Sequence, residues 1–275
     1  MTIGFVLGGG GQMGAYEVGM LAALLERGIV PDLVVGNSVG ALNGAAVAAD
    51  PTVEAVERLR SVWLHLDEER IFGGSPFGPA ANLLRRGATH LHSNRPLRAL
   101  IERLLPVQRF DDLKVPFQCV AASVERAAEH WFSEGSLADA ILASAALPGV
   151  LPVVEIDGEH FMDGGIVNSI PISRAVELGA TEIYVLHVGR IDRPLRPPRN
   201  FVQVGAVAFE IARRHRFARD LATLPDGVRA HVLPTGEPEA PRYDSLGQLR
   251  YRAFRDVAGR IDRARIATAE YLDHR

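Results

Sequence analysis

The chain has little of what marks disulfide-bonded, metal-binding or nucleic-acid-binding proteins. It contains one cysteine, Cys119, among 275 residues, so no intrachain disulfide can form. Its nine histidines are scattered, and neither a metal nor a cofactor is predicted. Thirty Lys and Arg face 33 Asp and Glu, for a formal net charge of -3. A basic excess that could neutralise phosphates is absent, so we expect no nucleic-acid partner.

Membrane-spanning runs and a secretory leader are also missing from the sequence. The first three residues carry no basic side chain, and the apolar run that follows ends at glycine after Leu7. No uninterrupted apolar stretch reaches the roughly 20 residues that a membrane-spanning helix needs. The sequence therefore predicts a cytoplasmic protein whose contact with a membrane is peripheral.

What the sequence does contain is an alternation of short apolar runs and helical patterns. This rhythm predicts an α/β fold with a mostly parallel central sheet and helices on both faces. We expect one domain over residues 1–275, with a C-terminal extension over about 200–275. Strands are predicted over 3–7, 33–35, 117–122, 130–133, 153–156, 160–162, 182–188 and 228–233. Helices are predicted over 18–25, 39–48, 53–66, 97–105, about 201–222 and about 247–272.

The stretch Gly36-Asn37-Ser38-Val39-Gly40 follows the second predicted strand and opens a helix of small residues. A Gly-x-Ser-x-Gly sequence at such a place is typical of a nucleophilic serine on a tight strand-to-helix turn. The start of the helix there favours negative charge near the serine. A serine that merely caps the helix is the simpler alternative, but the position between an apolar strand and a helix favours the nucleophile.

A run of glycines, residues 8–11 with Gly14 closing it, lies between the first strand and the first helix. Such a loop also occurs in dinucleotide-binding proteins, which need an acidic residue at the end of the second strand. Here that strand ends in the serine motif, and Asp32 precedes the strand instead. We therefore favour an oxyanion role, in which consecutive glycine N–H groups converge on one oxygen.

A nucleophilic serine needs a base, and the sequence offers two kinds. His187 and His231 would fit the residue order of an α/β-hydrolase triad, but both are predicted inside apolar strands. Asp163 follows a predicted hairpin strand, and the two glycines after it allow a close approach to a neighbouring strand. An aspartate serves as a base near neutral pH when burial raises its pKa, so this choice implies a buried site.

Several stretches together resemble the patatin-like phospholipase family, in its bacterial acyl-hydrolase form. The resemblance covers roughly residues 3–190, and the motifs follow the family's order. They are the glycine loop, Gly36-Asn37-Ser38-Val39-Gly40-Ala41-Leu42-Asn43, Ala143-Ser144-Ala145-Ala146-Leu147-Pro148, Asp163-Gly164-Gly165 and Asn168-Ser169-Ile170-Pro171.

The resemblance implies a function and assigns roles to the motif residues. The family hydrolyses acyl esters of lipids with a serine–aspartate dyad, so Ser38 is the implied nucleophile and Asp163 the implied base. The implied substrates are phospholipids or lysophospholipids, and no cofactor is implied. Gly9, Gly10 and Gly11 would shape the oxyanion hole. The remaining motif glycines would support the backbone: Gly14, Gly36, Gly40, Gly164 and Gly165.

One position departs from the family pattern. Members usually carry Lys or Arg just before the last glycine of the loop, where this chain has Met13. A cation beside the oxyanion is then missing, unless an arginine from elsewhere replaces it. On the sequence alone, Met13→Arg is expected to keep or raise activity. An alternative function also follows, in which the protein is a catalytically weak regulator that binds acyl lipids.

Two weaker patterns concern contacts with lipid. The predicted helix over 201–222 has an apolar stripe, which we interpret as core, and a basic run over 213–216, interpreted as a solvated face. A basic amphipathic helix lying on a membrane surface is the alternative. Residues 71–93 show no period and contain Phe72 and Phe77, which predicts a loop or lid over an acyl chain.

Overall fold

The computed structural model describes residues 1–66, 89–188, 194–237 and 256–275. The predicted lid lies largely outside these ranges, including Phe72 and Phe77. The described residues form one sheet of eight strands. The strands are β1 (Ile3–Leu7), β2 (Leu33–Asn37), β3 (Phe117–Ser123), β4 (Ala128–Phe132), β5 (Val154–Ile156), β6 (Glu159–Asp163), β7 (Glu182–Leu186) and β8 (Arg229–Val232).

Helices connect most of these strands. They are α1 (Gly14–Glu26), α2 (Val39–Ala49), α3 (Val53–His65), α4 (Arg95–Leu104), α5 (Leu137–Ser144), α6 (Gly165–Asn168), α7 (Ile172–Glu177), α8 (Phe201–Ala222) and α9 (Val257–Asp273). A 3₁₀ turn, Gly11–Met13, lies between β1 and α1. The side chains of residues 201, 202 and 206 are outside the description.

The sheet is mixed and mostly parallel, which confirms the predicted α/β fold. Its order is β5-β6-β3-β2-β1-β7-β8, and β4 pairs with β3. The five strands β3-β2-β1-β7-β8 are parallel to one another. The antiparallel pairs are β3 with β4, β3 with β6, and β5 with β6. Carboxyl ends of parallel strands meet at one edge, where α/β proteins place their sites.

Helices cover both faces of the sheet because the central strands are apolar on both sides. In β1, Phe5 and Leu7 join a core cluster with α1, α2 and α5. Val6, on the opposite face, joins a second cluster with Ile172 of α7 and Phe217 of α8. Successive side chains of a strand point to opposite faces, so this alternation is what a strand buried on both sides requires.

The register of β3 brings the ends of two other strands together. β2 runs parallel to β3 and ends with Asn37 opposite Val120. β6 runs antiparallel to β3 and ends with Asp163 opposite Ala121. β4 occupies the other edge of β3 at these two positions, so β2 and β6 share one edge. Their carboxyl ends therefore approach each other head-on, one residue apart in register.

Several element boundaries differ from the sequence-based prediction. The sequence Asp50-Pro51 predicts a helix N-cap at Asp50, and this is wrong: α3 begins at Val53, and Thr52 caps it by accepting a hydrogen bond from the N–H of Ala55 at 3.2 Å. Pro51 precedes the cap instead of following it. The sequence Asp157-Gly158 predicts a hairpin turn, and this is confirmed, because both residues have a positive φ (52° and 79°) as a type I′ turn requires.

The expected orientation of α8 is also wrong. Its stripe was predicted to be core, yet Val204 and Ile211 are 54% and 55% exposed, and Ala208 and Ala218 are exposed as well. The basic run was predicted to be solvated, yet Arg213 is 4% exposed. The helix buries charged side chains in ion pairs and turns apolar ones outward.

Candidate active site

Ser38 lies on a strained turn between β2 and α2. Its backbone has φ 54° and ψ -119°, a positive φ that side-chain-bearing residues rarely adopt. Such a conformation costs on the order of 1–3 kcal/mol and persists where surrounding contacts hold it. One such contact is the Ser38 N–H, which donates to Oγ of Ser144 at 2.9 Å. The turn leaves the Ser38 side chain half-buried at the carboxyl edge of the sheet.

The two glycines that flank the serine are required by close backbone approaches. A Cβ on Gly36 would lie 2.6 Å from the carbonyl oxygen of Gly40. A Cβ on Gly40 would lie 2.4 Å from the carbonyl oxygen of Leu7, on the neighbouring β1. Any side chain at either position would push α2 away from β1 and β2, and the serine would move with it.

Asp163, the last residue of β6, is 4% exposed and lies beside the serine turn. Burial raises the pKa of its carboxyl from 3.8 to about 6. Hydrogen bonding from the Gly165 N–H, which donates to Oδ1 at 2.7 Å, opposes the rise. The side chains of Ser38 and Asn37 are near enough to lower the pKa further. The carboxylate and the serine hydroxyl are thus neighbours in a desolvated site.

Asn37 is fully buried next to this pair. Neither polar atom of its side chain has a partner at ordinary hydrogen-bond length among the described residues. Its amide still lies close enough to Asp163 to stabilise the ionised carboxylate. It also fills the space against Gly9 and Gly164, where a Cβ would lie 2.5 and 2.6 Å from its Nδ2 and Oδ1 atoms. The side chain therefore packs between the glycine loop, the serine turn and the aspartate.

The end of α5 holds the serine and aspartate segments together. Besides accepting from the Ser38 N–H, Ser144 accepts a hydrogen bond from the Gly164 N–H through its carbonyl at 3.3 Å. The carbonyl of Ala146 accepts from the N–H of Asp163 at 3.0 Å. The sequence alone marks this stretch as a motif without indicating its role. Its role in the structure is to position the two ends that the register of β3 brings near each other.

The glycines after Asp163 also meet close neighbours. A Cβ on Gly164 would lie 2.3 Å from the carbonyl oxygen of Val120. A Cβ on Gly165 would lie 3.0 Å from Oδ1 of Asp163 and 2.9 Å from the ring of Phe209 on α8. The aspartate can therefore approach the serine only because these positions have no side chain.

The glycine loop contacts the site from the β1 side. The N–H of Gly9 already has an acceptor, because it donates to the carbonyl of Ser169 at 3.0 Å. Gly10 caps the 3₁₀ turn and Gly11 begins it, and the first N–H groups of such a turn have no partner within it. No acceptor for either N–H occurs in the part of the chain that the structure describes. Gly14 lies behind, where a Cβ would meet Val39 at 2.4 Å.

A buried acid behind the loop was missed by the sequence analysis. The helical spacing of Val18, Leu21 and Leu25 predicts that Glu17 lies off the apolar face of α1, yet it is fully buried. Burial raises its pKa well above the ordinary value, although hydrogen bonding from Asn43 and the Gly8 backbone opposes the rise. The Asn43 Nδ2 donates to Glu17 at 2.7 Å and to the Gly14 carbonyl at 3.1 Å, and Trp63 donates to Asn43 at 3.0 Å. These bonds tie the glycine loop to α2.

A signal for this network exists in the sequence. Nearly every other residue of α1 up to Leu25 is small or apolar, and a helix that is apolar all round is a buried one. A carboxyl group on such a helix has no exposed face to occupy. It must therefore be buried and hydrogen-bonded.

Met13 belongs to the core. It is 2% exposed and joins the apolar cluster that contains α1 and α2. An arginine here would bury an uncompensated charge, so the expectation that Met13→Arg keeps or raises activity is reversed. We expect this substitution to lower the free energy of unfolding by about 3 kcal/mol or more, without a gain in turnover.

Met13→Leu is the matched control, because it nearly conserves volume and is expected to cost less than about 1.5 kcal/mol. Urea unfolding and turnover of a soluble ester measure both effects. A Met13→Arg protein of unchanged stability and higher turnover would contradict this assignment.

The two histidines differ in their distance from the site. The prediction that His187 lies inside a strand is wrong: β7 ends at Leu186, so His187 follows the strand at the carboxyl edge. It is buried and stacks on Phe217, with ring centroids 5.9 Å apart. His231 is in β8 opposite Tyr184 and contacts Glu182 at the other end of β7, at 2.8 Å.

We expect His187→Asn and His231→Asn to change the maximal rate by only a few-fold once stability losses are corrected. A histidine general base would contribute about 10²–10⁴-fold, so the two models are separable. Turnover of a soluble ester by both variants, with thermal unfolding as the check on folding, is the measurement. A thousandfold loss in a well-folded variant would replace the dyad with a histidine-based triad.

The described ranges hold no group of three or more His, Cys, Asp and Glu arranged for a metal ion. Asp32, the acid nearest to a nucleotide-binding position, accepts from the Ile3 N–H at 2.7 Å before β2 begins. It is therefore at the amino end of the sheet, away from the glycine loop. None of the described helices is both long enough and apolar enough to cross a bilayer.

Comparison with known proteins identifies the family. A model of the patatin-like phospholipase family matches residues 5–176. The chain belongs to the patatin-like phospholipase family. This family assignment agrees with the glycine loop, the serine turn and the Asp163 segment, which all lie within the matched residues.

The similar sequences include animal and fungal proteins. Patatin-like phospholipase domain-containing protein 6 of Mus musculus is 31% identical over 193 residues, which cover 70% of this chain and 14% of that protein. Lysophospholipase nte1 of Aspergillus terreus is 29% identical over 193 residues, covering 70% and 12%. The chain thus spans less than a sixth of the length of these curated relatives. They do not assign it to the bacterial branch of the family.

Two solved bacterial structures are also similar. VipD from Legionella pneumophila matches with a TM-score of 0.44 and 15% identity, covering 95% of this chain and 67% of that one. ExoU, in its complex with SpcU from Pseudomonas aeruginosa, matches with a TM-score of 0.46 and 18% identity, covering 100% and 51%.

Proposed function

We propose that this protein hydrolyses acyl esters of phospholipids or lysophospholipids, as a phospholipase A or lysophospholipase, with Ser38 as nucleophile and Asp163 as general base. One observation carries the proposal: a desolvated carboxyl with a pKa of about 6 lies beside a serine hydroxyl on a strained turn. The names of the relatives, phospholipase and lysophospholipase, support an ester of a lipid as the substrate.

In the first half-reaction, the Asp163 carboxylate takes the proton of the Ser38 hydroxyl as Oγ attacks the ester carbonyl carbon. The carbonyl oxygen becomes an oxyanion. The N–H groups of Gly10 and Gly11 are the available donors on the loop, while Gly9 shapes it through its bond to Ser169. A preorganised donor of this kind contributes about 3–4 kcal/mol to transition-state stabilisation. Collapse transfers the proton from Asp163 to the leaving alcohol and leaves an acyl-serine.

In the second half-reaction, Asp163 takes a proton from water as the water oxygen attacks the acyl carbon of Ser38. The oxyanion forms again at the same glycines. Collapse returns the proton to Ser38 and releases the fatty acid. A carboxyl with a pKa of about 6 suits both directions of transfer, because it is mostly ionised at pH 7 and still a usable acid once protonated.

The alternative, an acyl-lipid-binding regulator of weak activity, rested on the absence of a cation at Met13. The burial of Met13 gives that residue a packing role, so the argument for a crippled site is lost. The proposal also places the family's dyad at positions that the fold brings together through β3.

Covalent labelling and product analysis test the proposed function together. A fluorophosphonate probe should modify the protein on Ser38, as peptide mapping would show. Incubation with phosphatidylcholine and lysophosphatidylcholine should release free fatty acid. A protein that binds these lipids, remains unlabelled and releases no fatty acid would support the regulator instead.

A further inference from the structure

Helix α8 differs from an ordinary surface helix, because it buries its acidic side chains and exposes several apolar ones. Its only two acidic residues, Glu210 and Asp220, are 2% and 7% exposed. Glu210 accepts bonds from the buried Arg213 at 2.8 and 2.9 Å and from Arg214 at 2.6 Å. Asp220 accepts from Ser173 of α7 at 2.9 Å and from Arg216 at 3.0 Å. Charged side chains that normally face water are thus buried in ion pairs within the helix, and Asp220 also bonds to α7.

The outward side of the same helix is apolar. Val204, Ala208, Ile211 and Ala218 recur at helical spacing and are all exposed. Val204 and Ile211 are 54% and 55% exposed, although water contact of such side chains is unfavourable. We call these four residues the α8 stripe. These exposed apolar side chains are available to a partner.

Helix α8 adjoins the candidate active site through its inner face. It packs against α6, which begins two residues after Asp163. Phe209 approaches Gly165, with its ring 2.9 Å from where a Cβ would be. Residues two apart on a helix lie on nearly opposite sides, at about 100° per residue, so the stripe at Ile211 is on the face turned away from Gly165. Ile166 of α6 is a further exposed apolar residue, at 39%.

Exposed arginines lie along the helix and before it. Arg196 and Arg199 precede the helix, and Arg219 is on it. Both acids of the helix are turned inward, where the nearer one, Asp220, lies with Oδ1 3.9 Å from Nε of Arg219. An apolar strip flanked by arginines, on a helix with no exposed acid, complements one kind of partner, a lipid bilayer with anionic headgroups.

We propose that the α8 stripe docks on the surface of an anionic lipid bilayer, with Val204 and Ile211 entering the acyl boundary and the flanking arginines contacting headgroup phosphates. The proposal rests on the proposed function only for its choice of a lipid partner, since the stripe itself is independent of catalysis. Docking would hold the protein at the bilayer surface, where phospholipid substrates reside.

Vesicle sedimentation with the full chain tests the docking. The probes are vesicles of phosphatidylglycerol and phosphatidylcholine in equal parts, and vesicles of phosphatidylcholine alone. We expect the protein to partition to the anionic vesicles and to lose part of that affinity at high salt. Val204→Ser with Ile211→Ser should lower the partition coefficient about tenfold, because each half-exposed side chain gains burial in the bilayer.

A matched control removes the same kind of apolar surface elsewhere. Val30 and Ile266 are 43% and 59% exposed and lie outside α6 and α8, so Val30→Ser with Ile266→Ser should leave partitioning unchanged. Arg199→Gln with Arg219→Gln should abolish the preference for anionic vesicles even if the serine variant proves unstable. Thermal unfolding checks that each variant is folded.

Three outcomes would overturn the docking. They are equal binding by the wild type and the stripe variant, an equal loss in the control variant, and self-association through the stripe without vesicle binding, seen by sedimentation equilibrium. Turnover of a soluble short-chain ester by the unmodified protein tests the catalytic proposal separately. Vesicle binding without such turnover would support the docking while removing the proposed function.

Discussion

Replacement of Ser38 by alanine is expected to abolish ester hydrolysis while the protein remains folded. Loss of a serine nucleophile removes the acyl-enzyme route, and such losses are on the order of 10⁶-fold in turnover number. Only the Oγ atom is removed, and the N–H of residue 38 can still donate to Ser144. Turnover of a soluble ester and labelling by a fluorophosphonate should both disappear, with an unchanged unfolding transition.

Two further serine variants sharpen this experiment. Ser38→Gly should be equally inactive but about 1 kcal/mol more stable than the alanine variant, because glycine adopts a φ of 54° without strain. Ser61 is on the exposed side of α3, where its hydroxyl donates to the Glu57 carbonyl at 3.0 Å, so Ser61→Ala should keep full activity. Substantial turnover by Ser38→Ala would remove Ser38 as nucleophile.

The local features of this site could be predicted from the sequence because their causes are local. A serine that takes a positive φ needs small neighbours, so Gly36 and Gly40 appear at fixed spacing around Ser38. A carboxylate that approaches another strand end needs glycine after it, so Gly164 and Gly165 follow Asp163. The β strands were equally visible, because apolar runs ended by glycine indicate strands buried on both faces.

The pairing of distant elements was not visible in the same way. The head-on approach of β2 and β6 depends on which residues of β3 they oppose. Asn37 pairs with Val120, 83 residues away, and Asp163 pairs with Ala121, 42 residues away, and pairing over such separations leaves no local pattern. The partners of Glu17 could not be predicted for the same reason, because Asn43 is on another helix. The orientation of α8 was predicted wrongly because an apolar stripe indicates a buried face only when the charged face has no partners of its own. Here Ser173 of α7 supplies one.

Asp163→Asn is expected to be as inactive as Ser38→Ala, and the double variant no worse than either one, since nucleophile and base act as a unit. In the wild type, the carboxylate is the form that accepts a proton. With a pKa of about 6, kcat/KM for a soluble ester should rise about tenfold per pH unit below that value and level off above it. A profile flat down to pH 4, or residual activity in Asp163→Asn, would exclude the aspartate as base.

Ionisation of the same carboxyl, which activity requires, should lower the stability of the folded protein. Its folded pKa of about 6 exceeds the ordinary aspartate value of 3.8, so its stabilising contribution is present below about pH 4 and is lost as the pH rises through 6. Asparagine has no charge to bury, so the free energy of unfolding of Asp163→Asn should rise relative to that of the wild type by up to roughly 3 kcal/mol between pH 4 and pH 8.

Asp139 is the control of opposite sign. Burial acts to raise the pKa of its carboxyl, but hydrogen bonds from Arg98 and Ser136 outweigh burial, and the pKa is lowered. Asp139→Asn should therefore lose stability relative to the wild type above pH 4 and keep its activity. If urea unfolding showed that Asp163→Asn becomes less stable relative to the wild type as the pH rises, the folded protein would stabilise the ionised form of Asp163. Asp163 would then not be a desolvated base.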